Sequence, residues 1–209
     1  MLNGSFSWSE DVVKVFESWS IWTAVAIAVL LGGLRGFKKI KSEFKRDNFI
    51  TIHSEIHELL TELRVLTDAA RAQVIQFHNG EYFMDGISMR KFSLTHESVE
   101  KGIESDGERL QGYLCSMFLP LLLLINENNP KIYYTVDLSE NYVKQYLESR
   151  NVEAFSVLPI KINNMTTGFV MNQWCSGTKA EKVDQHYSAM ELRKVANNIT
   201  VQLTQQKKS

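Results

Sequence analysis

At 209 residues with a formal charge of −1, the chain has room for one domain of ordinary size beside a membrane segment. The charge is unevenly divided: residues 1–46 hold seven Lys/Arg against four Asp/Glu, and the remainder sixteen against twenty. A mildly acidic main part without an Arg/Lys stripe excludes the footprint of a nucleic-acid binder, and two cysteines far apart in sequence, Cys115 and Cys175, exclude a disulfide framework or a cysteine metal site.

In chain order, residues 1–17 form a short extracytoplasmic N-terminus, and Ser18 to Leu34 is an uncharged run between Glu17 and Arg35. That run is just long enough to cross a hydrocarbon core as an upright helix. Trp19 and Trp22 stand at one end, where indoles favour the headgroup region, and Arg35, Lys38, Lys39, Lys41, Lys45 and Arg46 follow the other. The basic flank places everything after it in the cytoplasm, so the expected location is an inner or plasma membrane, single-pass, with the lipid bilayer as first partner. A signal peptide would need its basic residues before the apolar run instead.

Residues 35–70 combine this flank with a helix. Phe49, Ile52, Ile56, Leu59, Leu63, Leu66 and Ala70 alternate at spacings of three and four, a heptad seam that predicts a parallel homodimer, the alternative being a monomeric helix that covers the sheet. Leu60 and Val65 widen the stripe, so the second half of the helix is also expected to pack on its own domain. His53 and His57 share a helix face, but no third ligand accompanies them and no metal site is assigned.

The soluble part, residues 71–209, opens with a strand from Ala72 to His78 that ends at Asn79-Gly80, a hairpin-turn signal. A second strand is expected over Ile87 to Leu94, then a polar, partly helical stretch over Glu97 to Gln111. Leu110 to Ile125 is apolar but interrupted by Pro120, too short for a second span and therefore core. Lys131 to Asp137 predicts a third strand, and Asp137 with Glu140 a capping box for a helix through Arg150. Ala154 to Ile162 and Gly168 to Cys175 pair across Asn163 to Thr167, with Pro159 at a bulge or edge. A closing helix starts near Ala180 with Ala189, Leu192, Ala196, Ile199 and Leu203 on one face.

The segments RAQVIQFHNG and FSVLPIKINNMTTGFVMNQW, in this order of elements, resemble a GAF domain. The resemblance implies an α+β fold, an antiparallel sheet with helices on its faces, terminal helices on one side and a ligand pocket on the other. It implies a sensing or dimerising module, commonly fed by a coiled-coil helix. The Asn-Lys-Phe-Asp-Glu motif of cyclic-nucleotide GAF domains is absent, and neither cysteine matches a bilin-attaching one.

No Walker A loop, His-Glu-x-x-His, Gly-x-Ser-x-Gly or Gly-x-Gly-x-x-Gly is present, so the expectation is not an enzyme. The densest polar group near strand ends is Gln76, His78, Lys91, Ser93 and His96, joined by Asn172 and Trp174 from the late hairpin, and all of these but His96 are the candidate ligand residues. Period-two geometry puts Gln76 with His78, and Lys91 with Ser93, on single faces, where they are expected to hold a small anion. No residue pattern names a cofactor. Any signal is expected to pass to an unidentified cytoplasmic protein; a ligand-free membrane-anchored assembly module is the alternative.

Overall fold

The structure, a computed structural model, describes residues 49–82 and 88–208. The apolar run Ser18 to Leu34 and the basic flank lie outside them; among the described residues no helix is long and apolar enough to cross a membrane. The compact unit begins at Phe49, so the heptad helix belongs to the globular part.

Helix α1 (49–66) leads into β1 (Arg71–Tyr82) and β2 (Ser88–Val99). There follow β3 (Tyr113–Leu114), α2 (Leu119–Glu127), β4 (Tyr133–Tyr134), α3 (Tyr142–Ser149), β5 (Ala154–Ile162), β6 (Met165–Trp174), α4 (Gly177–Lys182) and α5 (Gln185–Lys208). The strands form one six-stranded sheet in the order β3-β2-β1-β6-β5-β4, with antiparallel pairings throughout.

Alternation along the strands divides the core in two. Ala72 and Val74 of β1, Leu158, Ile160 and Ile162 of β5 and Val170 of β6 meet α1 and α5. Ile75, Phe92, Leu94, Phe155, Val157, Phe169 and Met171 point the other way, against α2 and α3.

The heptad seam is spent largely inside the molecule. Ile52, Ile56 and Leu63 are buried against the sheet together with Leu60, and Leu59 is packed at the margin of the same cluster, leaving Phe49 and Leu66 exposed. Hydrophobic burial on the domain's own sheet uses the same residues that a coiled coil would need. Helix α5 buries Leu192, Ala196, Ile199 and Leu203 as the spacing predicts, with Ser188 rather than Ala189 completing the stripe. The two helices are antiparallel: Lys194 Nζ lies 3.1 Å from Glu62, while Glu55 and Glu58 share a groove with Val201 and Gln202.

Several local expectations are corrected. Asn79-Gly80 does not turn the chain, because β1 continues through it to Tyr82. β2 runs on to Val99, absorbing the start of the stretch expected to be polar and helical. Pro120 does not break the apolar run: it sits in the first turn of α2, where its missing N–H costs nothing. The strand expected over Lys131 to Asp137 shrinks to Tyr133–Tyr134, followed by a 3-10 turn. The cap of α3 is Asn141, whose Oδ1 accepts from Lys144 N at 3.1 Å, not Asp137. The late hairpin is tighter than expected, Asn163 and Asn164 both taking positive φ, as a two-residue turn requires. Pro159 lies in β5 beyond the two residues that β4 covers, an effective edge where no N–H is needed.

Candidate functional site

Cross-strand register places His78 opposite Lys91 and Gln76 opposite Ser93, so these four residues share the face expected of them. His78 Nε2 is 2.9 Å from Ser93 Oγ, and the same hydroxyl accepts from Gly112 N at 2.8 Å. They form an open patch: His78 is exposed, and Gln76, Lys91 and Ser93 are half-buried.

Asn172 and Trp174 are elsewhere. Asn172 pairs with Ala72, four residues along β1 from Gln76, which is about 13 Å of strand. Both side chains are fully buried under the α1–β1 connection, where Asn172 Nδ2 donates to Thr67 Oγ1 and Trp174 Nε1 to the Thr67 carbonyl, each at 3.0 Å. Asn172 Oδ1 and the hydroxyl of Ser156 opposite it have no partner among the described residues. The six residues therefore form an exposed patch and a buried brace, not one pocket.

The face that the GAF resemblance reserves for a ligand is occupied. Phe92 meets Phe118 edge-on at 4.9 Å and Phe169 at 6.2 Å, with Leu121, Ile125, Val143 and Leu147 closing over them. At its margin lies a groove of about 320 Å³ lined by Phe77, Arg90, Cys115, Leu119, Leu122 and Leu123 among others. Apolar walls with a single guanidinium suit an amphipathic anion better than a small polar one. Burial pushes the Cys115 thiol up, and Arg90 offsets this only in part, so the groove holds a neutral thiol. Both cysteines are free and half-buried, less enclosed than their apolar surroundings in sequence imply.

A second polar assembly has only a faint signature in the sequence. Arg71 and Gln73 of β1, Gln173 of β6, Arg150 after α3 and Asp106 of the loop 100–112 are all buried together. Asp106 takes Arg150 Nε on Oδ1 and Gln73 Nε2 on Oδ2, the latter at 3.0 Å, with Arg71 Nε 4.0 Å away. Gln73 Oε1 accepts from Gln173 Nε2 at 3.0 Å, and Arg71 Nη1 donates to Gln173 Oε1 at 3.1 Å. Glu97 holds the loop through Ser105 Oγ at 2.5 Å and the Asp106 N–H at 3.1 Å. The buried charges Arg71, Asp106 and Arg150 are paired and hydrogen-bonded, and Glu97 accepts several hydrogen bonds, which fits a brace for the loop rather than a reactive centre. The signal that was available is Arg71 and Gln73 alternating on the face continued by Ile75 and Phe77. Among the described residues no three His, Cys, Asp or Glu side chains are grouped to hold a metal.

No protein-family model and no curated protein matches the chain. Solved structures do. The phycoerythrobilin-bound GAF domain from a cyanobacterial phytochrome aligns with a TM-score of 0.56 at 14% identity, over 79% of this chain and 91% of that one. The phycocyanobilin-bound counterpart gives 0.55 at 15%, over 79% and 94%. A GAF domain of Synechocystis sp. PCC6803 in its photoproduct state gives 0.54 at 16%, over 75% and 95%. At these identities the likeness is one of architecture: the described domain has a GAF-like α+β fold.

Proposed function

We propose that the chain is a membrane-tethered regulatory module of GAF-like fold that carries out no chemistry itself and acts through self-association and a cytoplasmic protein. The observation that supports this most directly is the placement of α1. It follows the basic flank of the apolar run Ser18 to Leu34 in sequence and shares one core with the sheet and α5, so a change in the domain reaches the residues where the chain enters it. With Ile52, Ile56 and Leu63 committed inward, self-association falls to the outer faces of α1 and α5, where Leu66, Met190 and Val201 are exposed. A small ligand of this module is an amphipathic anion held in the groove beside Arg90. The bilins named with the neighbouring structures are not carried over, because the face opposite the terminal helices is filled by aromatic side chains.

That filling also favours a second reading, an anchored assembly module that takes no small molecule. Two measurements on the full chain separate these readings. Crosslinking in membranes should give a dimer that Leu66→Lys with Val201→Lys dissociates; a wild-type monomer removes the self-association. A melting scan against medium-chain carboxylates should give a stabilisation lost in Arg90→Ala. No shift with any of them leaves the assembly module.

A further inference from the structure

The end of the domain from which α1 enters combines exposed apolar and basic residues drawn from separate elements. α1 passes over β2 with His53 at His96 and with Thr61 and Arg64 at Ser98, so its first turn points toward the Lys91 end of the sheet. Because α5 is antiparallel to α1, its final turn, with Lys207 and Lys208 in sequence, ends at the same pole. The β5–β6 turn is there as well, since β6 starts beside it and Gly168 pairs with Gln76 of β1.

On this pole Phe49 is 50% exposed, Ile50 58% and Met165 61%. Arg90 and Lys161 are exposed and Lys91 half-buried. Solvated apolar side chains interleaved with cations are a poor match for water and a good one for an anionic headgroup layer, which accepts both.

We infer that this pole, carrying Phe49, Ile50 and Met165 among Arg90, Lys91 and Lys161, rests on the anionic leaflet of the bilayer. The inference rests on the tethered reading for its geometry. Fourteen residues separate Leu34 from Phe49, and at about 3.5 Å each they carry Phe49 no further than about 50 Å from the end of the apolar run. Within that reach the local lipid concentration is high, and a surface with modest intrinsic affinity stays engaged. The basic flank 35–46 supplies the first electrostatic contact, and the pole extends it over the face of the domain.

The test uses residues 49–209, which contain the complete sheet and all three hydrophobic clusters and so form a folding unit without the anchor. This fragment should float with vesicles that are about one-third phosphatidylglycerol in phosphatidylcholine, and stay behind with pure phosphatidylcholine. Lys91→Glu with Lys161→Glu should weaken flotation by about 30-fold or more, since each basic residue near a charged surface is worth roughly fivefold. Ile50→Ser with Met165→Ser should weaken it as well, through lost apolar insertion. Unchanged melting curves confirm that the variants are folded, as expected for three exposed positions and the half-buried Lys91. A fragment that ignores anionic vesicles, or folded variants that bind as the parent does, overturns the inference. Carbonate extraction of the full chain judges the tether separately: release from membranes removes the anchor reading while a floating fragment still supports the surface.

Discussion

His53 Nδ1 of α1 lies 2.5 Å from His96 Nε2 of β2, the two rings stacked with centroids 4.7 Å apart. The proton arrangement follows from the neighbours. Thr95 Oγ1 donates to the Val74 carbonyl at 3.2 Å and so accepts from His96 Nδ1–H at 3.0 Å, leaving Nε2 to accept from His53 Nδ1–H. A proton on His96 would set one N–H against another. Burial, and then the nearby His53 and His57, lower the His96 pKa from 6.5 to about 4. Between those values the unfolded chain binds a proton that the folded chain refuses, so stability is full above pH 6.5 and falls as the pH drops toward 4. Thermal melts at pH 7.5 and 4.5 should show a loss that His96→Gln reduces; equal losses in both proteins would put the acid sensitivity elsewhere.

This pair also shows what the sequence could convey. Thr95 is the extra residue of a bulge, between the pairs Val74–His96 and Ile75–Leu94. The bulge sends Leu94 to the α2 side and His96 to the α1 side although they are two apart, which strict alternation forbids. The face shared by His78, Lys91 and Ser93 was legible because no irregularity intervenes there, and the α1 and α5 stripes because helical period survives any packing partner. The partner itself was not legible: Ile52 and Ile56 have the same spacing whether they meet a second helix or their own sheet. Asp106 belongs to a loop without periodicity, and its partners lie 33 and 44 residues away in sequence, so only the fold brings them together.

Asp106 is the buried carboxylate between the Arg71 and Arg150 guanidiniums, while Arg150 Nη1 also meets the exposed Glu104 at 2.9 Å. Asp106→Ala would leave both cations buried with only the exposed Glu104 against Arg150, a loss on the order of 3–5 kcal/mol in denaturant unfolding. Arg109→Ala, which removes an exposed partner of Glu104 at 2.7 Å, should cost less than about 1 kcal/mol. Comparable costs for the two would contradict the network as drawn.

Gly168 of β6 sits opposite Gln76 of β1. A Cβ there would fall 2.3 Å from the Ile75 carbonyl oxygen and 3.0 Å from Gln76 Cα, both backbone atoms that cannot swing aside. Gly168→Ala should therefore push the central strands apart and destabilise by at least about 1–3 kcal/mol, with exchange of the β1 and β6 amides accelerated first. An alanine variant as stable as the parent would mean that the strands are spaced differently here.

The separation of the six polar residues predicts opposite behaviour at the two ends of the sheet. Trp174→Phe keeps the ring in its cluster with Ala69, Ala154 and Ala180 but deletes the N–H that satisfies the Thr67 carbonyl. A buried carbonyl left without its donor costs roughly 1–3 kcal/mol, read as a lowered melting point whatever solute is present. Lys91→Ala removes a half-buried cation from an open patch and should leave the melting point of the free domain within about a degree or two, the range of surface changes near 0.5 kcal/mol. If anionic solutes stabilise the parent and not Lys91→Ala, while Trp174→Phe retains the full increment, the patch rather than the groove beside Arg90 is the binding element. An increment lost equally in both variants would mean that the two ends communicate through β1, which Asn172 and Gly168 of β6 grip four residues apart.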